Sequence, residues 1–137
     1  MAKHVVATAS EIPPGGRKLV KIGERRIVIF NLAGEFFAIS NRCPHQGAPL
    51  SEGRLTGFVS SPTPGKYCYE RRGEVLRCPW HAWEYDIRTG KSWCDPRHVK
   101  VRQFEVSLES GERLAEGPYV IETFEINVED RYLVVTL

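Results

Sequence analysis

No run of 18 consecutive apolar residues occurs anywhere in this 137-residue chain, so no membrane-spanning helix is expected. The opening Met1-Ala2-Lys3-His4-Val5-Val6 lacks the apolar core of a secretory signal. A charge of one sign is missing as well. With 19 Lys and Arg against 17 Asp and Glu, the formal +2 is small and evenly spread, which argues against a nucleic-acid partner. No segment sustains a 3.6-residue apolar period over three turns, which excludes a helical domain, and no internal repeat is present. These absences leave one domain of ordinary globular composition, 42% hydrophobic and 26% charged. The expectation is a cytoplasmic protein whose cysteines stay reduced unless they hold a metal.

Cysteine and histidine are scarce, four of each, and half of them fall in two short stretches. Cys43-Pro44-His45 and Cys78-Pro79-Trp80-His81 each offer one thiolate and one imidazole, with a proline directly after the cysteine. Thiolates suit zinc and iron–sulfur clusters, and imidazole suits zinc or iron. Zinc modules usually group two Cys in one knuckle and two His in another, with at least two residues between them. Here both knuckles are mixed and the first has a single spacer. That order fits a Rieske [2Fe–2S] centre better, because there two His replace two Cys on one of the irons.

Cys43-Pro44-His45-Gln46-Gly47-Ala48 and Cys78-Pro79-Trp80-His81-Ala82-Trp83-Glu84-Tyr85-Asp86, with Ile87-Arg88-Thr89-Gly90 after them, resemble the signature of Rieske proteins. The chain is most similar to the ferredoxins of bacterial aromatic-ring-hydroxylating dioxygenase systems. The resemblance implies a Rieske-type [2Fe–2S] cluster, with Cys43 and Cys78 on one iron and His45 and His81 on the other. Relatives that serve quinol oxidases carry a membrane anchor and a disulfide bracing the two loops. The matching positions here are Ala48 and Trp80, so that bridge cannot form. The high-potential branch also has a serine two residues after the second His and a tyrosine four residues after it. This chain has Trp83 and Tyr85 there, which predicts a potential near the low end of the Rieske range, about −150 mV. If the two histidines expose their outer nitrogens, the potential should fall as pH rises through their deprotonation.

The remaining motif residues have plainer roles. Pro44 and Pro79 stiffen the loops. Gly47 either lets a backbone N–H approach the cluster or is a turn glycine. Trp80 and Trp83 are expected to shield the cluster from water or to fill the core. Cys68 and Cys94 read as ordinary thiols, and His4 and His98 as surface residues.

Alternation of apolar residues predicts an all-β chain. Residues 3–8 form an edge strand that ends at Pro13-Pro14-Gly15-Gly16. Leu19, Val20 and Ile22 lie on a second strand, and 27–32 on a third that is covered on both faces. A turn at Ala33-Gly34-Glu35 leads to 36–39, and Glu74–Arg77 carries the second ligand pair. Ser60-Ser61-Pro62-Thr63-Pro64-Gly65 cannot be a regular strand interior. The surplus around 57–73 is read as a variable hairpin rather than a docking excursion. Thr89-Gly90 is a turn. Val101, Phe104, Val106 and Leu108 face inward, with Glu105 and Ser107 outward. Residues 109–118 connect to a half-buried strand at 124–128 and a last strand at 132–137. With the resemblance, this gives a single Rieske-like domain over 1–137. Residues 1–40 and 94–137 form an antiparallel barrel-like base, and residues 41–93 an inserted cluster-binding subdomain.

A terminal oxygenase would also need a mononuclear iron site, typically two His and a carboxylate, and only His4 and His98 remain for it. The chain is therefore read as a one-electron carrier, not an enzyme. Its expected partners are a flavin-dependent reductase and a terminal oxygenase, with no nucleic acid, membrane or small-molecule substrate of its own. The alternatives are an accessory subunit resembling the small subunit of nitrite reductase, or a redox-sensing module.

Overall fold

A computed structural model describes residues 3–44, 47–80, 83–92, 95–111 and 131–136, with the backbone alone for 58–63 and 66–72. Within these residues the strands are β1 (Lys3–Thr8), β2 (Arg17–Ile22), β3 (Arg25–Leu32), β4 (Glu35–Ser40), β5 (Arg54–Thr63), β6 (Lys66–Arg77), β7 (Glu84–Asp86), β8 (Gln103–Ser110) and β9 (Arg131–Thr136). Single 3-10 turns occupy Ala9–Glu11 and Leu50–Glu52. Among the described residues no helix is long and apolar enough to cross a membrane.

Two antiparallel sheets result. Six strands run in the order β1-β9-β8-β4-β3-β2, and three in the order β5-β6-β7. The larger sheet curls. Val6 and Ala7 from one edge strand and Val20 and Ile22 from the other meet in one buried cluster with Ile12, Ile27, Ile29, Ala38, Leu133 and Val135. Strands at opposite edges can share a core only if the sheet bends into a barrel-like form. In β1 the register shifts between Val5 and Ala7, so Val6 is the extra residue of a bulge, a device that bends an edge strand. Sequence and structure agree on β1 as an edge, on the hairpins β2–β3 and β3–β4, and on a β3 covered on both faces.

The turns carry their own chemistry. At Ala33-Gly34 both residues have positive φ, 54° and 95°, the geometry a two-residue hairpin of matching twist requires. Asn31 Oδ1 accepts from Gly34 N at 2.7 Å, and its amide donates to Ile12 O at 2.8 Å, so this buried polar side chain is satisfied.

Alternate residues of β3 point to different places. Ile27 and Ile29 enter the barrel-like interior. Val28, Phe30 and Leu32 enter a second cluster, with Ile39, Leu50, Leu76, Tyr85, Ile87, Val101 and the two cysteines Cys43 and Cys78. The second cluster lies between the six-stranded sheet and the smaller one. Arg88, just past β7, fastens the two across their rim. Its guanidinium reaches Glu74 of β6 at 2.6 Å and Glu35 of β4 at 2.7 Å, and lies 5.1 Å from the centroid of Phe37. Hydrogen bonds to these two carboxylates raise its pKa above the ordinary arginine value.

One expectation is met and another needs correction. β5 extends through Pro62 to Thr63 and turns at Pro64-Gly65, so the Ser-Pro-rich stretch is the end of a hairpin and not a regular strand interior. It is irregular strand, since the β5–β6 register shifts between Ser60 and Thr63 and again between Thr56 and Phe58. Bulges are where a strand tolerates proline. Along β8 the inward face fades. Phe104 and Val106 are half-buried but Leu108 is 41% exposed, since among the described residues β4 pairs with β8 only at Gln103 and Phe104 and leaves the Leu108 end without that neighbour. The expected strand at 124–128, most of the 109–118 connection and Leu137 lie outside the described residues.

Candidate metal centre

β4 ends at Ser40, and Asn41 then anchors the chain. Its N–H donates to Arg26 O at 2.9 Å, while its side-chain oxygen accepts from Ser51 N at 2.6 Å. The loop beginning at Cys43 closes on itself: Cys43 N donates to Ala48 O at 2.9 Å, and Gly47 N to Cys43 O at 2.7 Å. Gly47 has φ +79°, a conformation glycine adopts without steric cost. Its N–H is engaged inside the turn, which supports the turn-glycine reading over that of a donor to the cluster.

β6 delivers the second loop, which closes in the same manner. Cys78 N donates to Trp83 O at 2.7 Å, again to the carbonyl five residues on. Two loops of matching closure thus present Cys43 and Cys78, only 1% and 3% exposed, to one apolar cluster. Beneath them β7 carries Tyr85, also 1% exposed, with its hydroxyl 3.1 Å from Cys43 Sγ. The tyrosine that this chain shares with the high-potential branch is in hydrogen-bonding position on a cysteine sulfur. The two loops are also tied from behind. Gly53 sits so close to β6 that a Cβ there would lie 2.6 Å from Arg77 O and 2.9 Å from Leu76 Cδ1. Arg17 Nη1 donates to Gly53 O at 2.5 Å, linking β2 to the same corner.

This donor set fits an iron–sulfur cofactor. Buried thiols among apolar side chains exclude water from the metal, and a hydroxyl on one sulfur is the type of outer contact that orients and tunes a ligand. Of the four expected ligands, the structure brings Cys43 and Cys78 together. His45 and His81 lie outside the described residues, as does Cys94.

Other motif residues depart from expectation. Trp80 is 56% exposed, so it does not fill the core, whereas Trp83 is half-buried against the cysteine-bearing cluster. Trp80 directly follows Pro79 at an exposed turn of its loop. His98 is a surface residue as expected, its Nδ1 3.0 Å from Asp95. His4 is not. It is half-buried, with an Nδ1 that has no hydrogen-bond partner among the described residues, because β1 packs that side of the ring inward.

Comparison with known proteins agrees with this geometry. The model of the Rieske [2Fe–2S] domain matches residues 2–105. The chain is 31% identical over 111 residues to the 3-phenylpropionate/cinnamic acid dioxygenase ferredoxin subunit of Photorhabdus laumondii, covering 81% of this chain and 90% of that one. It is 28% identical over 113 residues to Ferredoxin CarAc of Metapseudomonas resinovorans, covering 82% and 91%. Among solved structures, the ferredoxin of carbazole 1,9a-dioxygenase from Nocardioides aromaticivorans shares the fold with a TM-score of 0.60 at 19% identity, over 97% of each chain. The Sphingomonas yanoikuyae ferredoxin does so with a TM-score of 0.57 at 23% identity, over 77% of this chain and 88% of that one. With its paired cysteine loops, its tyrosine on one sulfur and this match over most of its length, the chain belongs to the Rieske [2Fe–2S] family.

Proposed function

We propose that this protein is a one-electron carrier that takes electrons from a flavin-dependent reductase and passes them to the terminal oxygenase of an aromatic-ring dioxygenase system in the cytoplasm. It binds a Rieske-type [2Fe–2S] cluster through Cys43, His45, Cys78 and His81, and makes or breaks no substrate bond itself. The observation that carries the reading is the convergence of two self-closed cysteine loops on one dry core, with Tyr85 hydrogen-bonded to Cys43. The relatives named as dioxygenase ferredoxin components support the choice of partners. In this reading, residues 41–93 are the cluster-binding part, and 1–40 with 94–137 the base that holds it.

The bound cluster supplies one-electron chemistry, at a potential raised by imidazoles standing where thiolates would otherwise bind. The protein's own residues set the conditions for it. Burial of Cys43 and Cys78 keeps water from the sulfurs, and the Tyr85 hydroxyl donates to Cys43, favouring the more negative, reduced state. The backbone bonds that close the two loops fix the positions of Cys43 and Cys78. Exposed Pro44, Pro79 and Trp80 put the outer faces of both loops at the molecular surface, where a partner can approach.

Electron paramagnetic resonance of the dithionite-reduced protein tests the cofactor. A rhombic signal of low average g, lost in His45→Ala and His81→Ala variants, is expected. A colourless protein carrying one zinc per chain would overturn the reading. Reoxidation of the reduced protein by a terminal oxygenase, coupled to substrate turnover, separates a carrier from a sensor.

A further inference from the structure

The even spread of charge along the sequence does not survive folding. An open cleft of about 560 Å³ is lined by Arg25, Arg26, Arg42 and Arg102, with Glu24 as the one carboxylate among the described residues and Phe104 in its wall. The local excess of three positive charges exceeds the +2 of the whole chain, so the remainder carries a slight negative excess. All four arginines are exposed, and among the described residues none is ion-paired.

Backbone hydrogen bonds build the cleft from three separate segments. Asn41 N donates to Arg26 O at 2.9 Å, and Ser40 N to Arg102 O at 2.8 Å. The guanidiniums of Arg102 and Arg25 lie 4.9 and 5.9 Å from the Phe104 ring centroid. A guanidinium held over an aromatic face keeps its N–H edges free to grip a carboxylate in bidentate fashion. The cleft also shares a wall with the first cysteine loop. Gly47 and Pro49 line it, and Arg42, next to Cys43, lies so close to Gly47 that a Cβ there would come within 3.3 Å of its Nε.

We infer that this cleft seats an acidic patch of the protein that exchanges electrons with the first cysteine loop, so that carboxylates on the partner steer and orient the encounter. The inference rests on the electron-carrier reading, since it gives that reading a docking surface and a partner of stated charge. A positive cleft focuses the field and can raise the association rate of an acidic partner by roughly 10- to 1,000-fold, an effect that falls steeply with salt.

The test compares two protein oxidants of opposite charge, acidic cytochrome b5 and basic cytochrome c, reacting with the dithionite-reduced protein. The variant is Arg42→Glu/Arg102→Glu. Its control is Lys66→Glu/Arg131→Glu, which makes the same net change at the β5–β6 turn and at the end of β8 remote from Arg102. The expected result is oxidation by cytochrome b5 slowed about tenfold in the cleft variant and in high salt. Oxidation by cytochrome c should be unchanged or faster, and the control close to wild type. Arg42→Lys/Arg102→Lys should keep most of the rate, because the charge remains. Equal responses in the cleft variant and the control would overturn the inference, as would a wild-type reaction with cytochrome b5 that is indifferent to salt. Affinity for cytochrome b5 at low ionic strength needs no cluster. A cleft-dependent affinity without electron transfer would therefore sink the carrier reading and leave the cleft standing. Transfer without a cleft-dependent affinity would do the reverse.

Discussion

Replacing Tyr85 by Phe removes one oxygen and leaves the ring in place. That hydroxyl stands 3.1 Å from Cys43 Sγ in a site with 1% exposure, so water cannot replace it. A hydrogen bond to a charged group contributes about 1.5–3 kcal/mol. The sulfur carries negative charge in both oxidation states, so only the part of that energy that grows on reduction moves the potential. Taking this as about a third to a half gives roughly 0.5–1.5 kcal/mol. For one electron, with 59 mV for each tenfold change in equilibrium constant, this is a fall of about 20–60 mV. The sign is fixed: reduction makes the sulfur a better acceptor, so losing the donor disfavours the reduced state. Protein-film voltammetry of wild type and Tyr85→Phe at one pH measures the shift. A potential unchanged within about 10 mV, or one that rises, would refute the role given to this hydroxyl. The wild-type value itself is expected near about −150 mV, since Trp83 stands where the high-potential branch has a second donor.

Three other outcomes follow from the packing. Gly53→Ala should cost about 1–3 kcal/mol in urea denaturation, because a Cβ 2.6 Å from Arg77 O forces the 3-10 turn off β6. Arg88→Ala should cost about 0.5–1 kcal/mol, a figure discounted because its side chain is 32% exposed and its partner Glu35 64%. Since the raised pKa of Arg88 keeps it charged up to and beyond the ordinary arginine range, that cost should be flat over neutral and mildly alkaline pH; thermal melts across that range check it. Trp80→Ala should change stability by no more than about 0.5 kcal/mol, as expected for a side chain 56% exposed. A matched Trp83→Ala variant should lose more, and calorimetry of the pair would show whether Trp80 is as free of the core as its exposure indicates.

Much of this could be read along the chain, because it is written locally. The alternation of Ile27 to Leu32 sets a strand with two buried faces, Ala33-Gly34 sets its turn, and Cys-Pro followed closely by His marks each loop. What could not be read depends on contacts between distant positions. The Tyr85–Cys43 approach spans 42 residues, and only the family resemblance suggested that the tyrosine mattered. The arginine cleft joins 24–26, 40–42 and 102, three segments whose charges look evenly scattered until β2–β3, β4 and β8 bring them together. Trp80 was open to a core reading because hydrophobicity favours burial, and its 56% exposure removes that reading. Pro62 argued against a regular strand interior, and the pairing does slip between Ser60 and Thr63, where an irregular hairpin end can spare a backbone donor.

The double allegiance of β3 limits how this molecule can change. A slip of one residue in its pairing would exchange the set Ile27 and Ile29 for the set Val28, Phe30 and Leu32, spoiling both interiors together. Neither half can therefore drift independently of the other along this strand. A change of length is better borne at the far end of the β5–β6 hairpin, whose pairing is already irregular between Ser60 and Thr63.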